Sequence, residues 1–155
     1  MAASSTAAAF VVALKAALVT RFAAGALSSV LVELVLGGDN TEVDRVVLLR
    51  APTPVAGGQE YVAMGNRRED AYKFMGAIQT YATDPNTDVA FQASWDRAAL
   101  ILDEIILQLR DNQTLAVDTV KKGMVTDISY RPFPSDKGGW VTRCEYTIEY
   151  GSIVS

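Results

Sequence analysis

The chain has 155 residues, 50% of them hydrophobic and 21% charged, which fits one globular domain with a core of its own and excludes a disordered or fibrous chain. Fourteen basic residues against eighteen acidic ones leave a net charge of −4 and a pI near 4.8. That balance gives no support to wholesale phosphate binding, which relies on clustered Lys and Arg. With no histidine and one cysteine, a Ser-His-Asp triad, a zinc or haem site and an internal disulfide are excluded by counting.

In chain order, Met1–Ala26 is rich in Ala and Val, but it lacks a basic leader and is interrupted by Lys15 and Arg21, so it does not read as a signal peptide. No run reaches the roughly 20 apolar residues that span a bilayer. The chain is expected to be made in the cytoplasm, with no membrane segment. Phe10, Leu14, Leu18 and Phe22 recur every fourth residue, flanked by Val11 and Ala17. They predict a helix from Ser5 or Thr6 to about Gly25, with Lys15 and Arg21 left for solvent or a partner.

Ser29–Leu36 alternates as a strand, with Leu31, Glu33 and Val35 on one face and Val30, Val32, Leu34 and Leu36 on the other. Gly37-Gly38-Asp39-Asn40 breaks it. Val43–Arg50 is a second strand, followed by a Pro- and Gly-rich loop over Ala51–Gly58 and a short strand at Glu60–Met64. The charged run Asn66–Asp70 is expected to be a corner. Asp70–Tyr81 then alternates again, with Tyr72, Phe74 and Ile78 on one face and Lys73, Met75, Gln79 and Tyr81 on the other. Gly76 falls on the Tyr72 face, where a glycine marks a bulge or a close backbone approach.

Thr83–Asp88 carries turn and N-cap chemistry for the main helix, Val89–Arg110. Phe91, Trp95, Ala98, Leu102, Ile105 and Leu109 form its apolar stripe, and Asp111-Asn112 ends it. Met124–Tyr130 and Trp140–Tyr150 read as an antiparallel hairpin with a long loop, Arg131–Gly139. The expected fold is α+β in the order α-β-β-β-α-β-β: one domain over residues 1–155, a mainly antiparallel sheet of about five strands, and two helices on one face.

The search for chemistry finds little. The Gly pairs lack a Walker lysine and the GxGxxG spacing, so they are turns. Asp39, Glu42 and Asp44 form an acidic cluster whose spacing does not match a Ca²⁺ loop, and a solvated turn is the stronger reading. Ser94, Ser129 and Ser135 have no base to activate them, and no SxxK motif occurs. Glu33, between Val32 and Leu34, reads as an outward strand position. Cys144 shares a strand face with Thr142, Tyr146, Ile148 and Tyr150 and reads as a buried small hydrophobe. Neither enzymatic activity nor a cofactor or metal is expected. The residues singled out are interface candidates: Arg67, Arg68, Glu69 and Asp70 in the charged corner, and Phe133, Lys137 and Trp140 around the hairpin loop.

Four segments then carry a resemblance: VVALKAALVTRFAA (Val11–Ala24), GQEYVAMGNRRED (Gly58–Asp70), SWDRAALILDEIILQLRDNQTL (Ser94–Leu115) and GGWVTRCEYTIEY (Gly138–Tyr150). In this order, over almost the whole chain, they resemble the tail terminator proteins of long-tailed (siphovirus-type) bacteriophages. The resemblance is one of architecture, without a catalytic signature. It implies a virion subunit that forms a hexameric ring on the head-proximal end of the tail tube and stops tube polymerisation. The ring would present a docking surface to head-completion or neck proteins, and genomic DNA would pass through its lumen without sequence-specific binding. By the same resemblance, Asn66–Asp70 and Arg131–Gly139 are contact elements. Ala116–Gly123 departs from the pattern and leaves the register into the last hairpin open. The alternatives are another neck or head-closure protein, a small metal-dependent enzyme built on the acidic cluster, and a ligand-binding module.

Overall fold

The first helix, α1 (Ala3–Arg21), turns its four-residue repeat inward: Phe10, Leu14 and Leu18 are fully buried and Phe22 nearly so. A computed structural model describes residues 3–23, 25–34, 43–49, 56–61, 68–112 and 120–154, with backbone alone for 3–7, 56–61, 68–71, 120–122 and 152–154. After α1 come a 3₁₀ turn at Gly25–Leu27, β1 (Leu31–Glu33), β2 (Arg45–Val47), β3 (Ala56–Tyr61), β4 (Arg68–Ala82), α2 (Thr87–Asp111), β5 (Val120–Pro134) and β6 (Trp140–Val154).

These strands form one sheet in the order β1-β2-β4-β6-β5, with β3 also on β4. β1 and β2 are parallel and every other pair is antiparallel. One edge of β4 is shared: β3 takes Arg68–Lys73 and β2 takes Ala77–Gln79. Its other edge pairs with β6 along its whole length, from Arg68 opposite Val154 to Ala82 opposite Trp140. The architecture is α+β with a mostly antiparallel sheet, and residues of both helices join one core cluster with the same sheet face.

β1 and β2 are shorter than the expected Ser29–Leu36 and Val43–Arg50, α1 and β5 start earlier, at Ala3 and Val120, and β6 runs on to Val154; three further boundaries differ from the sequence reading. The Gly-rich stretch expected as loop contributes Ala56, Gly57 and Gly58 to β3. Arg68, Glu69 and Asp70 are not a corner but the start of β4, paired on both sides. The loop expected over Arg131–Gly139 is only Ser135–Gly139, because β5 runs on to Pro134. The reason is common to all three. Ladder hydrogen bonds come from backbone groups, so a long partner strand recruits segments whose side chains argue for loop.

The α2 stripe is also shifted at its start. Ala90, Ser94, Ala98, Ile101, Leu102, Ile105 and Leu109 are buried, whereas Phe91 and Trp95 are half-buried at the flank. The inner position goes to Ser94 because a small polar side chain fits a buried hydroxyl network there. Thr80 Oγ1 donates to Ser94 O (2.6 Å), Ser94 Oγ donates to Phe91 O (2.9 Å), and the Ser94 and Thr142 hydroxyls lie 2.8 Å apart. Each buried polar atom in this seam thus has a partner. Asn86 caps the helix, its side chain accepting from the Asp88 N–H.

The core runs from the α2 seam to an aromatic cluster under α1. Phe10 stacks on Tyr150 with ring centroids 4.3 Å apart and meets Phe74 edge-on at 6.3 Å. Tyr72 extends the stack from Tyr150 at 5.5 Å. Between the cluster and the seam, Tyr146 crosses over Gly76 to donate to Val47 O at 3.2 Å. A Cβ on Gly76 would lie 2.5 Å from Tyr146 Cζ and 2.6 Å from Val47 O. The close approach expected at this glycine is therefore its function.

Candidate functional site

The interface candidates named from sequence fall at two ends of the sheet. Arg67 lies outside the described residues. Arg68, Glu69 and Asp70 pair with Val154, Ile153 and Ser152, while Trp140 pairs with Ala82. Fourteen residues of strand separate these ends, about 45 Å at 3.3 Å per residue. The fold does not gather the two groups into one site.

At the Trp140 end the sequence builds a braced hairpin tip. Gly138 and Gly139 both adopt positive φ, +86° and +83°, a conformation that side chains oppose. The turn closes through Ser135 N–H to Gly139 O (3.0 Å) and Gly138 N–H to Ser135 O (3.1 Å). Tyr81 at the end of β4 donates its hydroxyl to Gly138 O at 2.7 Å, tying the tip to the sheet. Lys137 is exposed on this tip, and Phe133 and Trp140 are half-buried behind it.

Trp140 belongs to a row of aromatics that runs onto α2. It meets Phe91 edge-on at 5.4 Å; Phe91 lies 5.9 Å from Trp95, and Trp95 stacks on Tyr130 at 4.6 Å. All four rings are half-buried, so each packs on a neighbour and keeps one side towards solvent. Such rings are the usual anchors of protein contacts. Sequence reading singled out Trp140 but placed Phe91 and Trp95 in the core and left Tyr130 out. The four-residue spacing of Phe91 and Trp95 was visible, but the partner strand that draws them sideways was not.

Other candidates have structural duties. Arg21 is not free for a partner: its Nε lies 2.7 Å from Glu104 Oε2 on α2. Glu33 is an ion-pair partner on the sheet face away from the helices, its Oε1 3.3 Å from Nη1 of Arg45, a residue only 4% exposed. Asp39 and Glu42 of the acidic cluster lie outside the described residues. Asp44 accepts from Arg97 Nε and from the Tyr81 N–H, while Arg97 Nη2 reaches Ser29 Oγ at 3.2 Å. Its carboxylate joins the start of β2 to β4 and α2.

Two of the nucleophile candidates, Ser94 and Cys144, are equally committed. Ser94 spends its hydroxyl in the seam. Cys144 is buried, and burial pushes its thiol up to about 11, so little thiolate exists near neutral pH. Burial likewise raises the Tyr146 and Tyr150 phenols above their ordinary range. Among the described residues no three acidic or thiol groups are placed to share a metal ion, and none of the helices is long and apolar enough to cross a membrane.

One further concavity, about 270 Å³, opens beside the bulge in β5 where Asp127 takes φ +41°. Met75, Ser129, Glu145 and Thr147 help line it. Asp tolerates this backbone better than most residues, and the bulge bends the outer strand. Compared with protein-family models and with curated proteins, the chain matches none of them.

Proposed function

We propose that the chain is a structural virion subunit of a long-tailed bacteriophage, the tail terminator. It forms a hexameric ring on the head-proximal end of the tail tube, stops tube polymerisation and receives the head-completion or neck protein, with DNA passing through the lumen. The observation that carries this reading is the architecture: an α+β subunit of the kind the resemblance implies, with both helices on one face of the sheet and a long terminal hairpin. The exposed tip at Lys137 and the half-buried Phe133 and Trp140 give the hairpin a surface suited to protein contact. Arg68–Asp70 at the opposite end are a second contact element in the same proposal. A ring subunit needs two unlike surfaces that close by rotation, and two ends of one sheet offer them.

Electron microscopy of particles made with the gene disrupted tests it. Overlong tails without heads are the expected result, because tube growth has lost its stop. Free tails of normal length beside finished heads would move the subunit to the neck. Particles of normal appearance would overturn the structural reading.

A further inference from the structure

We infer that the outer face of α1 is covered by the outer face of α2 from a second copy of this chain. The starting point is a conflict between α1 and its surroundings. Its inner stripe is buried, yet Val12 is 59% and Val19 50% exposed, with Ala8, Ala16 and Ala23 exposed on the same side. A surface helix ordinarily turns charged and polar residues outward, and a helix apolar all round is normally covered all round.

The only charge amid that outer run is Lys15, which makes no ion pair among the described residues. A two-fold contact of α1 with itself would bring Lys15 towards its own copy, near the middle of the run, and like charges oppose that. The outer face of α2 is the complement. It exposes Val89 (49%), Leu100 (43%) and Ile106 (36%), with Asp96 and Asp103 each one turn from Leu100. Arg97 and Glu104, the charges nearest these positions, are already held by Asp44 and Arg21. Arg110, exposed towards the end of α2, lies beyond the acidic stretch.

The surface is large enough. Helices of 19 and 25 residues are about 28 and 38 Å long and overlap over about 28 Å, so with strips roughly 10 Å wide a reciprocal contact buries about 560 Å² on each copy and about 1,100 Å² for the pair. That clears the roughly 1,000 Å² expected of a specific contact and predicts a weak, concentration-dependent association. The inference needs only a second copy and does not depend on the tail reading.

The test is the mass of the purified full chain by sedimentation over a wide concentration range. A species heavier than the monomer is expected. Val12→Glu with Val19→Glu should weaken it more than about tenfold while leaving the circular dichroism spectrum unchanged. Lys15→Glu should weaken it as well, and adding Asp96→Lys and Asp103→Lys to the same chain should restore it; this series decides the matter if the valine variant does not fold. A chain that stays monomeric throughout, an assembly indifferent to Val12 and Val19, or a charge reversal that fails to restore association would each overturn the inference. A dimer that responds to all three sets supports it while counting against a free ring of six. A ring that ignores them overturns it and leaves the proposed ring standing.

Discussion

The two helices lie on the same side of one sheet and solve the same inner problem in different ways. α2 is capped by Asn86, buries a stripe that ends in Leu109, and turns Asp96, Asp103 and Arg110 outward among the exposed Val89, Leu100 and Ile106. α1 buries a stripe as complete, from Phe10 to Phe22, but turns Val12 and Val19 outward among alanines and Thr20, with no exposed charge beside them among the described residues. The inner faces answer to the fold, since both fill the same core. The outer faces answer to whatever lies beyond the subunit, and there the helices part company. A fold can thus be read from one side of a helix while the neighbourhood of the whole molecule is written on the other.

The strongest way to break this comparison is to cut each inner stripe. Leu14→Ala in α1 and Ile105→Ala in α2 both empty fully buried positions, and each should cost about 3 kcal/mol in denaturant unfolding. A Leu14 penalty below about 1 kcal/mol would show that α1 is only loosely docked and that the helices are not equivalent inside. The seam beneath α2 sharpens the point. Ser94→Ala removes the only hydroxyl partner described for Thr142 Oγ1 and should cost about 1–2 kcal/mol, most of it recovered by adding Thr142→Val, because an orphaned buried hydroxyl is worse than none.

Asn86→Ala probes the end of α2 and should cost about 1 kcal/mol, the usual worth of an N-cap, measured as a fall in thermal midpoint. The smallest effect lies on the sheet face turned away from both helices. There Lys73 Nζ sits 2.8 Å from Glu149 Oε1, and this hydrogen bond together with the nearby charge holds the Glu149 carboxyl below its ordinary value and Lys73 above its own. Their stabilisation is therefore present between the two ordinary values. It fades as pH falls through the lowered glutamate value or rises through the raised lysine value. Lys73→Gln should return the Glu149 titration, followed by NMR, towards an ordinary glutamate with no measurable change in midpoint at neutral pH; an unchanged titration would show that the pair is not formed in solution.

How much of this was legible depended on the kind of force involved. The helix repeat at Phe10–Phe22, the β4 alternation through Phe74 and Ile78, and the buried face of Cys144, Tyr146, Ile148 and Tyr150 are all burial patterns, and burial is periodic in sequence. The meaning of Gly76 was also readable, since a glycine on a core face asks what crosses it. Ala56–Gly58 and Arg68–Asp70 were misassigned because backbone pairing with a distant strand leaves no trace in their side chains. The parallel pairing of β1 with β2 belongs to the same class. At the candidate site, Trp140 was visible as an aromatic beside a turn, but its row with Phe91, Trp95 and Tyr130 joins an α2 flank to β5 and β6, and no single window of sequence contains it. Glu33 and Asp44 escaped for the same reason: their arginines arrive from elsewhere in the chain.

The place of β6 in the sheet sets an order of events during synthesis. It leaves the ribosome after every other element described, yet it is threaded between β4 and β5 along nearly its whole length, and among the described residues β5 has no other partner strand. Until Trp140–Val154 emerges, β5 and one edge of β4 lack the partner described for them and are open to neighbouring nascent chains. Slow translation of the last strand should therefore lower the yield of correctly folded subunit more than equally slow translation of an earlier strand.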